Sequence, residues 1–388
     1  MTVNPSAVTP TSQPVVVFDV ETVAFRENRI LDVEYTRQFP GAGAFAQVGL
    51  RLKLAGIESV TADEYLAHPR TNATTAVFSV EMTPYTDTLL NLPGIVPAVS
   101  LSLESPVMAV AYYRSVRQLS ARYRHMFLWP GVSSRVTGGA TFHPVSWPYP
   151  DWTPLRSCTP WAERKLLILV SSNKRAFARP RPLIDPFEPI SSARRVKAAI
   201  RVALLRVADP WFRSELYVSR LRAISYFAQD DGFDLYGRGW ENAGATLPKH
   251  TAEAVARCYQ GEIPPLDKTS VMSDYKFSLC FENTSFPGYI TEKIFDCFVA
   301  GCIPIYWGAP DVAQAIPEST FIDATSFRGF REMRDFIRSM TTSQGQSYLD
   351  AARAFLNSPD AARYHEDRFV ADVTDALLES LGTALADD

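Results

Sequence analysis

The sequence predicts an α/β protein built from two parallel-sheet units, each a sheet with helices on its faces. Three observations predict it. The chain has 388 residues, about two domains at roughly 150 residues each. Short runs of Val, Ile, Leu and Phe alternate with segments of helical period, both before residue 130 and after residue 164. Strands that alternate with helices pair in parallel. Between the two series, WPYPDWTPLRSCTPW carries four prolines and three tryptophans and follows neither period. It reads as a connection ordered by its aromatic side chains. The expected division is 13–157 for the first unit, 158–360 for the second and 361–388 for a helical tail.

In the first unit, PVVVFDV (14–20) reads as a buried strand and 45–54 as a helix. TTAVFSVEM (74–82) and AVSLSLES (98–105) are strands, 109–123 has helical spacing, and HMFLW (125–129) is a further strand. In the second unit, RKLLILVSSN (164–173) is a strand. Residues 174–192 read as a loop, and 193–206 and 214–228 as helices. FDLYG (233–237), YKFSLCFEN (275–283), CIPIYWG (302–308) and TFID (320–323) are strands, with helices at 291–300 and 310–316 between the last three. The chain after Gly329 reads as helical. Two doubly wound units of this kind place ligands beyond the carboxyl ends of their strands, and the default site is the cleft between them.

Composition narrows the function. A hydrophobic fraction of 46% with 21% charged residues excludes a disordered chain or a disulfide scaffold. The net charge of −3 gives no global argument for nucleic acid or an acidic membrane. Between Arg156 and Arg222, however, fifteen Lys/Arg stand against five Asp/Glu, which suits either solvated helix faces or an anionic ligand. The five cysteines, at 158, 258, 280, 297 and 302, show no C-x-x-C spacing, and no zinc cluster is expected. MTVNPSAVTPTSQP has no charged start and no apolar core, so no leader, no membrane span and a cytoplasmic location are expected.

The stretch that carries chemistry is YKFSLCFENTSFPGYITEKIFDCFVAGCIPIYWGAPD, 275–311. A strand ends in Glu282-Asn283-Thr284, a Pro-Gly turn follows, and Thr291 is placed to cap a helix with Lys293 in its first turn. A polar cluster at a strand's carboxyl end, facing a helix N-terminus that carries a lysine, suits a phosphate group. On spacing alone, a strand, a turn and a helix with surface charges fits as well.

This block closely resembles the signature of the α-1,3/1,4-fucosyltransferases, glycosyltransferase family 10. The family pattern of Y-K-F, F-E-N, G-Y-x-T-E-K and P-I-Y-W-G-x-P is present in order from Tyr275 to Pro310. LLILVSSNK, LYVSRLRAI and FDLYGRGW upstream resemble the earlier part of the family's donor domain, so the resemblance covers most of 164–330. It implies a GT-B fold, in which two Rossmann-like domains face each other across a cleft. The second domain would hold GDP-fucose and the first would help hold the acceptor. It also implies an inverting transfer of L-fucose to a sugar hydroxyl, O-3 of GlcNAc or Glc in an oligosaccharide or surface glycan, with no cofactor and no metal.

By motif position, Lys293 and Arg220 are the cations that meet the diphosphate, with Arg222 two residues on as the alternative. Asn283 and Tyr289 fall on positions that contact the nucleotide sugar, and Glu292 on one near the fucose and ribose. Asn173 is a further candidate contact, or an ordinary strand-end turn former. The family's general base is a carboxylate of the first domain. Glu104, in the E-S-P of SLSLESPV, matches it; Glu81 and Asp87 are the next candidates, and His125 and His143 weaker ones. The expected partners are therefore GDP-fucose and a glycan acceptor, with no nucleic acid; peripheral membrane contact is left open. The sequence departs from the shorter family members in an Arg/Pro-rich insertion, 174–212, which suits an acceptor rim.

Two rival readings have their own residues. Asp19-x-Glu21 in VVVFDVET resembles the first metal motif of RNase H-like 3′–5′ exonucleases, with Tyr226 and Asp230 mimicking another, although no second-motif aspartate lies between. A catalytically inactive nucleotide-sugar-binding protein is the other, against which the intact motif argues. PGAGAFA (40–46) does not directly follow a strand, so it fails as a dinucleotide fingerprint.

Overall fold

The computed structural model describes residues 13–20, 22–39, 41–70, 73–150, 152, 159–173 and 214–386. The insertion 174–212, the helix expected at 193–206, and Glu21 of the exonuclease reading lie outside them.

Two six-stranded parallel sheets form the body. In the first the order is β2-β1-β3-β4-β5-β6. The strands are β1 Val15–Val20, β2 Glu58–Thr61, β3 Thr75–Val80, β4 Ile95–Leu101, β5 His125–Leu128 and β6 Thr141–Pro144. In the second the order is β12-β11-β10-β7-β8-β9. Its strands are β7 Lys165–Val170, β8 Phe233–Tyr236, β9 Tyr259–Gly261, β10 Tyr275–Phe281, β11 Ile303–Trp307 and β12 Ile322–Asp323. This is the GT-B arrangement that the resemblance implies. The valine-rich β1 is buried along its whole length, as a central strand covered on both faces must be.

Three strands escape the sequence reading: β2, β6 and β9. Each is an edge strand of three or four residues. Edge strands are kept short and polar, so they carry no apolar run to announce them. The segment expected to be a helix at 310–316 closes only a 3-10 turn, Val312–Gln314. The strand expected to run to 105 stops at Leu101.

The tail is not a separate appendage. The helix Glu366–Ala386 packs Phe369, Val370, Val373, Leu377 and Leu381 into the core of the first unit. The chain therefore crosses between units twice, and the crossings are clamped together. Tyr149 N–H donates to the Tyr364 carbonyl at 2.9 Å, and Glu366 N–H to the Tyr149 carbonyl at 3.0 Å.

His125 and His143 lie where this returning helix covers β5 and β6, bonded to each other at 3.1 Å. His143 stacks on Phe127, and His125 Nε2 lies 3.9 Å from Glu379. They serve the fold rather than proton transfer. Burial holds both imidazoles below their usual range, and for His143 the neighbouring His125 adds to the effect. A folded pKa below the unfolded value of 6.5 means that the unfolded chain binds protons first as pH falls. Stability from this pair is thus complete above that pH and declines below it. The melting temperature should drop between about pH 7.5 and about pH 5.5, and His143→Phe should flatten the drop. Equal pH dependence in the variant would assign the loss to other groups.

Candidate active site

The second sheet builds the site at its carboxyl edge. β10 delivers Glu282 and Asn283, both buried, just past its last residue. The strand's apolar run cannot continue through two polar groups unless each finds a partner, and each does. Glu282 accepts from Thr291 N–H at 2.8 Å and from the Thr291 hydroxyl at 2.9 Å, and pairs with Lys293 at 3.0 Å. Room for Glu282 comes from Gly308: a Cβ there would stand 2.3 Å from Tyr306 Oη and 2.5 Å from Glu282 Cγ. That close approach is the reason a glycine ends the Y-W-G segment.

The helix Glu292–Ala300 starts from this cluster. Thr291 occupies the N-cap position as expected, but its hydroxyl does not cap the helix; it bridges Glu282 and Lys293. Lys293 is also 3.3 Å from Glu292. Burial disfavours its charge, yet Glu282 and Glu292 more than compensate and hold the ammonium above its usual range. Burial likewise opposes the Glu292 carboxylate, and Lys293 with Lys268 overcomes it, bringing its pKa down to about 2. Lys268 is paired with Asp296, one turn along the same helix, and Asp296 also accepts from the Tyr149 hydroxyl at 2.9 Å. The interdomain crossing is thereby tied to the helix that carries Glu292 and Lys293.

The helix Tyr217–Phe227 puts the two arginines on different sides. Arg220 is buried and Arg222 exposed, because two residues turn a helix to its other side. Arg220 donates to the Phe281 carbonyl through Nε and Nη2, to Asn283 Oδ1 at 3.0 Å and to the Ser171 hydroxyl at 3.2 Å. Its guanidinium lies 5.0 Å from the centre of the Tyr217 ring. Among the described residues it makes no ion pair. Asn283 also donates to the Tyr289 hydroxyl at 3.3 Å. Asn173, half-buried after β7, donates to the Gly239 carbonyl at 3.0 Å and so braces the turn after β8. It does not touch this cluster through any hydrogen bond among the described residues.

The first unit meets the site through the turn before the helix. Gly131 N–H donates to the Pro287 carbonyl at 3.1 Å, and Trp129 packs edge-on against Tyr289 at 5.0 Å. Gly288 has φ +74° and its missing Cβ would lie 2.3 Å from Pro130, so only glycine admits the contact. Trp129 reaches back as well: its indole N–H donates to the Glu104 carbonyl at 3.2 Å, and the Tyr113 hydroxyl to the same oxygen at 2.9 Å. The Glu104 backbone is thus fixed while its half-buried carboxylate accepts no hydrogen bond among the described residues. Its charge reaches the hydroxyls of Tyr217 and Tyr289. Glu104, Trp129, Tyr289, Asn283 and Arg220 therefore form one continuous chain across the cleft.

Glu81 sits nearby in the left-handed region, φ 66°, with the Ser102 hydroxyl donating to it at 3.0 Å. Asp87 lies on the surface beside Arg122. Asp19 does not serve the exonuclease reading. It is wholly buried, and the hydroxyls of Ser79, Thr83 and Thr86 enclose its carboxylate. Among the described residues no three His, Cys, Asp or Glu side chains are grouped to hold a metal ion.

Sequence reading assigned no role to Trp129, Tyr217, Lys268 or Asp296, and named Glu282 only as part of the polar cluster at the strand's end. Glu282 stands in the F-E-N triplet, a carboxylate at a strand's end, which was a usable signal. Lys268 and Asp296 are far apart in sequence and meet only in the fold.

Residues 217–351 match the family model for the C-terminal part of glycosyltransferase family 10, the fucosyltransferases. The match covers 217–351, about a third of the 388-residue chain. The matched span contains Arg220, Arg222, Asn283, Tyr289, Glu292 and Lys293; Glu104 and Asn173 lie outside it. The chain is similar to the alpha-(1,3)-fucosyltransferase FucT of Helicobacter pylori, 44% identical over 84 residues, 22% of this chain and 17% of that protein. It is also similar to an alpha-(1,4)-fucosyltransferase of Arabidopsis thaliana, 38% identical over 69 residues, 18% of this chain and 17% of that one. The matched segment thus spans about a sixth of each relative's length. A crystal structure of an alpha1,3-fucosyltransferase with GDP-fucose aligns over 98% of this chain and 94% of that one, at 17% identity and a TM-score of 0.40.

Proposed function

We propose that the chain transfers L-fucose from GDP-fucose to a sugar hydroxyl, with inversion and without a metal ion. The observation that carries the donor half is Arg220, a buried guanidinium whose charge no carboxylate neutralises among the described residues. A buried charge of this kind calls for a counter-ion, and a diphosphate supplies one. As the bond from the sugar to the β-phosphate breaks, negative charge grows on the departing GDP. Arg220 and Lys293 are already in place to meet it, which is worth more in a site closed to water than in solution. Asn283 and Tyr289 keep Arg220 aimed. Glu104, across the cleft, takes the proton of the acceptor hydroxyl as it attacks. The family 10 domain and the fucosyltransferase relatives support the choice of fucose. The preferred acceptor is O-3 of a GlcNAc or Glc unit.

GDP and GDP-fucose should raise the melting temperature, by the equivalent of about 2.7 kcal/mol at a hundredfold excess over Kd. UDP, CMP and NAD should not. Turnover of GDP-fucose with lactose, N-acetyllactosamine or a type 1 disaccharide should survive EDTA. Equal stabilisation by UDP would remove the donor assignment, and a large EDTA loss restored by Mn²⁺ or Mg²⁺ would remove the metal-independent one.

A further inference from the structure

The hydroxyl of Tyr217 is a buried polar atom with no hydrogen-bond partner among the described residues. The residue is 8% exposed, so water does not substitute freely for the missing partner. An unpaired buried hydroxyl costs stability, and a ligand that completes it is one physical reason for such a group to persist. Its neighbours say where that something would lie. The ring carries the Arg220 guanidinium at 5.0 Å. The hydroxyl also feels Glu104 and Lys293, and burial above all pushes its pKa up to about 12, so it stays protonated and able to donate.

Tyr217 is therefore packed against Arg220, one of the two cations assigned to the diphosphate, with its hydroxyl within electrostatic reach of Lys293 and of the carboxylate assigned to the acceptor. In an in-line transfer, the group between the leaving phosphate and the attacking hydroxyl is the transferred sugar. We propose that Tyr217 is a donor-sugar contact: its hydroxyl bonds an oxygen of the sugar carried by the nucleotide, and not the nucleotide itself. The diphosphate has its own partners in Arg220 and Lys293, and the Tyr217 hydroxyl bonds neither of them among the described residues. This assignment rests on the donor reading given above and adds the residue that distinguishes a nucleotide sugar from a bare nucleotide.

The test is Tyr217→Phe, which removes one oxygen and leaves the ring on Arg220. Calorimetric titration with GDP should give a Kd within about twofold of the parent, whereas the Kd for GDP-fucose should rise by roughly tenfold, the effect of one lost hydrogen bond in a closed site. The ligand-free variant should melt at a higher temperature, since it no longer buries an unpaired hydroxyl. A residue that serves the fold alone would do the opposite, lowering the melting temperature and leaving the two affinities in their original ratio. Equal loss of GDP and GDP-fucose affinity, or no loss of either, overturns the sugar contact. A parent chain that binds neither ligand overturns the donor reading itself and the contact with it.

Discussion

Arg220→Ala should lower kcat/KM by about 10²-fold or more, the loss expected when a preformed charge is withdrawn from a developing oxyanion. Lys293→Ala should fall in the same range, but the two should differ in ground-state binding. Lys293 already has Glu282 and Glu292 as counter-ions. Among the described residues Arg220 has only neutral partners: a carbonyl, an amide and a hydroxyl. GDP therefore gains more from Arg220, and GDP affinity should drop further in Arg220→Ala than in Lys293→Ala. Arg220→Lys separates charge from geometry, because a lysine keeps the charge but cannot span Phe281, Asn283 and Ser171 with a planar fork; it should recover only part of the loss. Arg222→Ala, on the exposed side of the helix, should change kcat/KM by less than threefold, as surface substitutions away from a site do. Steady-state kinetics with GDP-fucose decides the matter, and a larger cost at Arg222 than at Arg220 would sink the assignment.

Glu104→Gln should lower kcat by about 10²-fold or more while leaving GDP affinity near that of the parent. A sugar hydroxyl is a very weak acid, so it attacks only as its proton departs to a base. Glutamine keeps the volume and removes the basicity. The backbone at Glu104 is held by Trp129 and Tyr113 through its carbonyl, so the substitution leaves the cleft's frame in place and the loss reads as chemistry. Glu81→Gln and Asp87→Asn are the comparisons. Glu81 is the nearer rival: its hydroxyl partner Ser102 also approaches the Glu104 carbonyl. Near-normal turnover in Glu104→Gln, together with loss in Glu81→Gln, would move the base to the end of β3 and leave the donor half intact.

The division of labour between sequence and fold follows from what each residue depends on. The central strands β1, β3, β7, β10 and β11 announce themselves as apolar runs, because a strand covered on both faces has few polar positions to offer. The edge strands β2, β6 and β9 do not, since their pairing is decided by the neighbour they find. The motif from Tyr275 to Pro310 was legible because strand, turn and helix are consecutive, so the residues that build the buried polar cluster are local. Motif position already favoured Arg220 over Arg222; the fold adds that Arg220 is on the buried side of its helix, for a helical period ranks faces but does not say which one packs inward.

The sequence by itself determined two parallel α/β units, the likeness of the second to the fucosyltransferases of family 10, and the residue types at the candidate site. Tertiary structure alone decided how the halves join. Trp129 links Glu104 to Tyr289, Lys268 finds Asp296, and the last helix returns to cover the first sheet. These contacts span from 25 to more than 200 residues of chain, and such pairings arise from burial and charge neutralisation in three dimensions. The unpaired hydroxyl of Tyr217 belongs with them. No sequence pattern marks a group by the partner it lacks, and only the packed structure shows this hydroxyl buried without one among the described residues.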